Sequence, residues 1–121
     1  MNPTKNILVG CIYRHHTSIS EFTNTFLEET LNKIDKEKDM ICTLLGDLNV
    51  DLLKVDTDTE CCDYYDLLAS HGFKPLIMQP TRVMTRSNGT SATLIDNIFV
   101  NDIETRSVGG NITTSLSDHF P

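Results

Sequence analysis

The chain has 121 residues, of which 39% are hydrophobic and 22% are charged, and its formal net charge is −7. This composition predicts one globular domain and argues against wholesale disorder. It also argues against tight, metal-free binding of nucleic acid, because proteins that bind nucleic acid usually present a basic face. No apolar run approaches the roughly 20 residues that cross a bilayer, and the start of the chain lacks a signal-peptide pattern. We therefore expect a nuclear or cytoplasmic protein, neither secreted nor bound to a membrane.

The first part of the chain predicts a strand–helix–strand unit. Residues 7–13 are almost continuously apolar, which predicts a strand buried on both faces. Apolar residues then recur at helical spacing behind a serine that can form a capping box, so a helix is predicted over residues 19–36. Residues 40–45 predict a second buried strand, which Gly46 ends. This order indicates a right-handed crossover within an α/β layer.

The second part of the chain predicts shorter elements. A helix is predicted over residues 60–70, a short strand over 73–78, a turn over 87–89 and a longer strand over 92–100. Residues 103–108 are expected to pair near that last strand. The predicted fold is α/β, with one mixed β-sheet and about two helices. Two helices cover one face of such a sheet, so the other face is expected to lack a partner.

The cysteines predict structural thiols rather than a metal site. Cys11 and Cys42 lie inside apolar strand patterns and are interpreted as small core residues. Cys61 and Cys62 are adjacent at a predicted helix start. Because the sequence contains no C-x-x-C pair, a zinc ribbon is not indicated. Because a nuclear or cytoplasmic location is expected, we expect all of these thiols to be reduced.

Asp47 and Asn49 follow the second predicted strand, where α/β proteins place their active sites. Residues two apart on an extended chain point the same way, so a carboxylate and an amide are expected to face one site. The carboxylate can orient or deprotonate water, and the amide can donate to a phosphate oxygen. An Asx turn is the simpler interpretation of this motif taken alone.

Further polar candidates lie near the end of the chain. Asp96 stands inside an apolar strand pattern, where a carboxylate is disfavoured and costly to bury unpaired, so it needs a structural or a functional partner. Asp118 and His119 place a carboxylate beside an imidazole that can donate to phosphate or act as an acid. Asp96 could orient His119 from another strand. If the strand tips converge, these residues with Asp47 and Asn49 suit metal-assisted phosphate chemistry.

The end of the first predicted strand carries a phenol and three possible cations. Tyr13, Arg14, His15 and His16 could contact phosphate there. A solvated loop is the alternative interpretation of the same residues.

Together these segments resemble the endonuclease/exonuclease/phosphatase superfamily, and most closely the endonuclease domain of non-LTR retrotransposons. The matching stretches follow the family's order and span nearly the whole chain: residues 9–15, 45–51, 79–82, 93–99 and 117–121.

The resemblance implies a role for each candidate residue. Asp47 looks like the acid that activates the attacking water, and Asn49 like its phosphate-binding companion. Tyr13 looks like a phenol that contacts phosphate. His119 looks like the group that contacts the scissile phosphate and stabilises the transition state, and Asp96 like the acid that supports it.

The implied reaction is Mg²⁺-assisted hydrolysis of a DNA phosphodiester, with Mn²⁺ as an alternative ion and Asp118 near the metal. Such an enzyme nicks target DNA before reverse transcription. The family's N-terminal half supplies an asparagine and a metal-binding glutamate that have no counterpart here. By this resemblance, we expect residues 1–121 to correspond to the C-terminal half of the domain, which is half of a four-layer α/β sandwich. We expect weak or no activity of this chain alone, and we expect its partners to be DNA, bound weakly, and the missing half or a second copy.

Two other functions remain open on the sequence. A non-catalytic relic or interaction module of the same fold would associate through its uncovered sheet face. A phosphatase or phospholipid phosphodiesterase of the same superfamily would act on a different phosphate ester. The stretch over residues 93–101 argues against that second alternative, through its resemblance to retrotransposon sequences.

Overall fold

Four strands form a mixed sheet in the computed structural model, which describes residues 6–15, 17–37 and 40–101. All strands in these ranges, including two outside the main sheet, are in chain order β1 (Asn6–Tyr13), β2 (Met40–Asp47), β3 (Lys74–Pro75), β4 (Arg82–Arg86), β5 (Gly89–Thr93) and β6 (Asp96–Val100). The main sheet has the order β1-β2-β6-β3, in which β1 is parallel to β2 while β6 is antiparallel to both of its neighbours. The strands β4 and β5 form a separate hairpin. The pairing predicted for residues 103–108 lies outside the described residues.

A helical segment connects β1 to β2, as the apolar spacing predicted. It begins as α1 (Ile19–Phe22), passes through a π-helical turn (Thr23–Leu27) and continues as α2 (Glu28–Ile34). The hydroxyl of Ser18 accepts the backbone N–H of Glu21 at 3.2 Å, which is the capping interaction that the sequence predicted. The helix is therefore confirmed, with its end two residues earlier than expected.

The second helix is α3 (Thr59–Ser70), which confirms the prediction over residues 60–70. The carboxylate of Asp58 caps it by accepting the backbone N–H groups of Glu60 and Cys61 at 2.9 and 3.3 Å. No helix within the described ranges is long and apolar enough to cross a bilayer.

The helices and one face of the main sheet enclose the hydrophobic core. The rings of Tyr64 on α3 and Phe99 on β6 meet edge to face, with their centroids 6.1 Å apart. Other buried members of the core are Leu27, Leu31, Cys42, Leu44, Cys61 and Leu68. The predicted fold class, one mixed sheet with two helical segments on one face, is confirmed.

The opposite face of β1 is exposed, so the prediction of a strand buried on both faces is wrong. Ile7 and Val9 are 67% and 58% exposed, and Cys11 is exposed as well. β1 is the outermost strand in the sheet order, and its alternate residues point away from the helices. Cys11 is therefore not a core residue, whereas Cys42 is buried as expected. The thiols of Cys11, Cys42, Cys61 and Cys62 are all free, as predicted.

Gly46 lies within β2 and does not end it. Its φ of +146° is a conformation that side-chain-bearing residues rarely adopt, and a Cβ there would overlap the backbone of Ile12 on β1. The glycine therefore allows β1 and β2 to stay paired up to Asp47. The short strand predicted over residues 73–78 is reduced to the two residues of β3.

The single strand predicted over residues 92–100 is instead two strands, β5 and β6. The chain leaves the hairpin at Leu94 and Ile95, whose backbone N–H groups bond to side chains rather than to a neighbouring strand. Leu94 donates to the carboxylate of Asp51 at 2.9 Å, and Ile95 donates to the hydroxyl of Thr81 at 3.3 Å. These side chains provide acceptors from distant parts of the chain, which local sequence patterns do not reveal.

Candidate functional site

Three of the predicted site residues lie in one row across neighbouring strands. Tyr13 on β1 is paired in register with Asp47 on β2, and Asp47 is paired with Asp96 on β6. Residues paired in this way point to the same face of a sheet, and directly opposed antiparallel residues have Cβ atoms about 4.5–5.5 Å apart. The structure therefore brings a phenol and two carboxylates together at one end of the sheet, on the face opposite the helices. Asp96 is the first residue of β6, so it reaches this end from the start of its strand.

Asn49 reaches the same end of the sheet by a turn. β2 ends at Asp47, so the expectation that these two residues lie on extended chain is wrong. Asn49 has a φ of +50°, in the left-handed region that asparagine tolerates better than most residues. Its backbone N–H donates to Asp47 Oδ1 at 3.1 Å, which forms the predicted Asx turn. The turn thus brings the backbone N–H of Asn49 to the Asp47 carboxylate, while the side-chain amide of Asn49 donates to the carbonyl oxygen of Arg14.

Arg14 holds this turn from the end of β1. Its side chain is only 5% exposed, and its guanidinium donates to the carbonyl oxygens of Leu48 at 2.6 Å and Asn49 at 2.7 Å. A further nitrogen donates to the carbonyl oxygen of Thr17 at 2.8 Å. Burial lowers the pKa of Arg14, but an arginine in a protein stays protonated near neutral pH. The alternative of a solvated loop is wrong for Arg14, because the residue is buried and its donors face backbone carbonyls. A contact between Arg14 and phosphate stays a prediction.

Thr81 holds the start of β6 in a comparable way. It is 2% exposed, and its hydroxyl oxygen accepts the backbone N–H groups of Ile95 at 3.3 Å and Asp96 at 3.1 Å. Its own backbone N–H donates to the carbonyl of Thr93 at 2.9 Å. No local sequence pattern marks Thr81 as a functional residue, although it lies within the stretch 79–82 that carries the family resemblance.

Tyr13 is accessible at the edge of the sheet. Its side chain is 65% exposed, and its ring meets that of His15 edge to face at a centroid distance of 4.9 Å. An open cleft of about 440 Å³ adjoins both residues. Tyr13 and His15 are therefore placed where a ligand can reach them from solvent. His16 lies outside the described residues.

The described carboxylates can supply part of the ligand set of a divalent cation. Mg²⁺ in proteins is usually bound through one or two carboxylates, with water and substrate phosphate completing its shell. The opposed carboxylates of Asp47 and Asp96 match this requirement for one or two carboxylate ligands. Within residues 6–15, 17–37 and 40–101, no group of three or more His, Cys, Asp or Glu side chains could hold a metal. The predicted metal ligand Asp118 and the predicted phosphate contact His119 lie outside the described residues.

The mixed α/β fold is similar to about half of a solved endonuclease domain. A comparison with solved structures finds a likeness to the endonuclease domain of TRAS1, a telomere-specific non-LTR retrotransposon, with a TM-score of 0.60 and 16% sequence identity. The match covers 86% of this chain and 51% of that chain, so this chain spans about half the length of its structural neighbour. No protein-family model and no curated protein matches the chain. The likeness confirms the resemblance inferred from the sequence at the level of the fold.

Proposed function

We propose that this chain is the C-terminal half of a metal-dependent DNA endonuclease domain from a retrotransposon-type protein, with weak or no activity on its own. The observation that carries the proposal is the row formed by Tyr13, Asp47 and Asp96, with Asn49 bonded to Asp47 at its end. A likeness of fold to a retrotransposon endonuclease domain supports the choice of substrate class.

Each residue has a chemical task in this proposal. Asp47 accepts a proton from the attacking water, and the amide of Asn49 donates to a phosphate oxygen. Tyr13 donates its phenolic hydrogen to the same phosphate. His119 donates to the scissile phosphate and stabilises its developing charge, while Asp96 keeps that imidazole oriented.

A divalent cation completes the proposed site. Asp118 would hold Mg²⁺, or Mn²⁺ in its place. When bound, the ion would neutralise the negative charge that develops on the phosphate. The net charge of −7 makes this contribution more important, because the chain itself repels a polyanion.

The test is an assay of nicking on supercoiled plasmid DNA. The chain is combined with the N-terminal half of a related endonuclease domain, since the match covers only 51% of the structural neighbour. We expect nicking with Mg²⁺ and none after chelation with EDTA. Parallel reactions with a phosphomonoester and a phospholipid distinguish the phosphatase and phospholipase alternatives. Absence of Mg²⁺-dependent nicking by the combined halves would overturn the proposal.

The exposed face of β1 favours a second candidate function, a non-catalytic interaction module. β1 is the outermost strand in the sheet order, contains no charged residue or proline, and exposes Ile7 and Val9 by more than half. Long apolar edge strands without such protection tend to pair with another chain.

We therefore expect the purified chain to self-associate through this face. Val9→Lys is expected to yield a monomer, because it places a charge on the exposed face, whereas Thr90→Lys on the exposed hairpin is the matched control. Light scattering coupled to size-exclusion chromatography measures the mass of each variant. A monodisperse wild-type monomer would contradict this second candidate.

A further inference from the structure

We infer that Arg14 is a positioning residue that sets the geometry of Asn49 and Asp47, an inference that rests on the proposed function of that site. The contacts between these segments are reciprocal. The guanidinium of Arg14 donates to the carbonyl oxygens of Leu48 and Asn49 at 2.6 and 2.7 Å, while the side-chain amide of Asn49 donates to the carbonyl oxygen of Arg14. The backbone N–H of Arg14 also donates to the carbonyl oxygen of Asp47 at 3.0 Å.

The burial of Arg14 makes these contacts obligatory. Arg14 is 5% exposed as a whole residue, so its guanidinium has lost much of its water and must be satisfied by protein acceptors. The guanidinium group is planar, and its N–H bonds point in fixed directions. The carbonyl oxygens of Leu48 and Asn49 must therefore stay in line with those N–H bonds. The turn after β2 is therefore tied to the end of β1.

The constraint on the turn determines the conformation of Asn49. This residue holds a left-handed backbone, with a φ of +50°. Residues without glycine's freedom keep such a conformation only where their surroundings impose it. Here the carbonyl of Asn49 is bound by the Arg14 side chain, and the amide of Asn49 is bound by the Arg14 backbone.

Asn49 in turn positions the two groups that are proposed to act on the substrate, the Asp47 carboxylate and its own side-chain amide. The backbone N–H of Asn49 donates to Asp47 Oδ1 at 3.1 Å and so fixes the carboxylate that is proposed to take a proton from water. An amide nitrogen carries two hydrogens, and the Arg14 carbonyl takes one of them, which leaves one to donate to a phosphate oxygen. Arg14 thus orients both groups without contacting the substrate.

The first test measures the geometry of the turn and needs no activity. Arg14→Lys keeps the charge but loses the fork, so it is expected to shift the ¹⁵N–¹H signals of the Asn49 side-chain amide. It is also expected to speed hydrogen exchange at the Asn49 backbone N–H by at least about tenfold. Arg86→Lys, at an exposed position on β4, is the matched control and should change neither signal. Unchanged Asn49 signals in Arg14→Lys would overturn the inference.

The second test uses the nicking reaction of the combined halves. Arg14→Lys is expected to lower kcat by about 100-fold with KM for DNA near the wild-type value, because misplaced reacting groups slow chemistry rather than binding. A rise in KM with unchanged kcat would overturn the positioning role and indicate a DNA contact. If the wild-type halves do not nick, the proposed function fails, and the Asn49 signals still decide whether Arg14 controls the turn.

Discussion

Gly46→Ala is expected to destabilise the chain by about 3–5 kcal/mol, a large part of the stability of a small domain. The reason is the close approach of two backbones. A Cβ at residue 46 would overlap the carbonyl oxygen of Ile12 and lie 2.9 Å from its carbonyl carbon, and the φ of +146° is itself strained for alanine. Because backbone atoms on paired strands cannot move aside singly, β1 and β2 must separate near Asp47. Urea denaturation followed by circular dichroism measures the loss.

Two other glycines provide the control for this prediction. Gly72 and Gly89 have φ values of +81° and +135°, but a Cβ at either position would meet no atom within 4 Å. Replacement of either by alanine is therefore expected to cost only the conformational strain, about 1 kcal/mol. If Gly46→Ala were no worse than Gly89→Ala, the close approach of Gly46 to the backbone of Ile12 would be wrong.

Asp47→Asn is expected to lower the nicking rate of the combined halves by at least about 100-fold, the usual contribution of a positioned general base. Asparagine has nearly the same shape and keeps an oxygen that can accept the N–H of Asn49, so the turn should survive. It cannot accept a proton from water at neutral pH. The assay compares initial nicking rates of plasmid DNA, and circular dichroism verifies that the variant is folded.

Asp63→Asn is the matched control for the loss of a negative charge. Asp63 is exposed on α3, far in sequence from the row of site residues. Both substitutions change the net charge of the chain equally, so a general electrostatic effect on DNA binding would appear in both. Equal nicking by the two variants would exclude a chemical role for Asp47.

The helices were predictable because their signals are local. Ser18 and Glu21 are three residues apart, and Asp58 directly precedes α3, so each cap is determined by neighbouring residues in the chain. The apolar run of β2 was equally clear. Polar residues directly after that run identified Asp47 and Asn49 as candidates before any tertiary contact was known.

The exposed face of β1 was not predictable from residues 7–13. Their apolar character is the same whether the second face of the strand is covered or open to solvent. Burial of that face depends on which elements lie against it, and hydrophobicity alone does not specify them. The order β1-β2-β6-β3 places this strand outermost, and that order is a property of the whole sheet.

The sequence by itself determined the α/β class, both helical segments and the choice of Tyr13, Asp47 and Asp96 as candidate residues. Only the tertiary structure decided that these three share one row across the sheet, because the pairing of β2 with β6 joins residues far apart in the chain. It also decided the contacts of Arg14, whose guanidinium donates to carbonyl groups 34 and 35 residues away. Local patterns depend on neighbouring side chains, whereas the site depends on backbone atoms that meet only after folding.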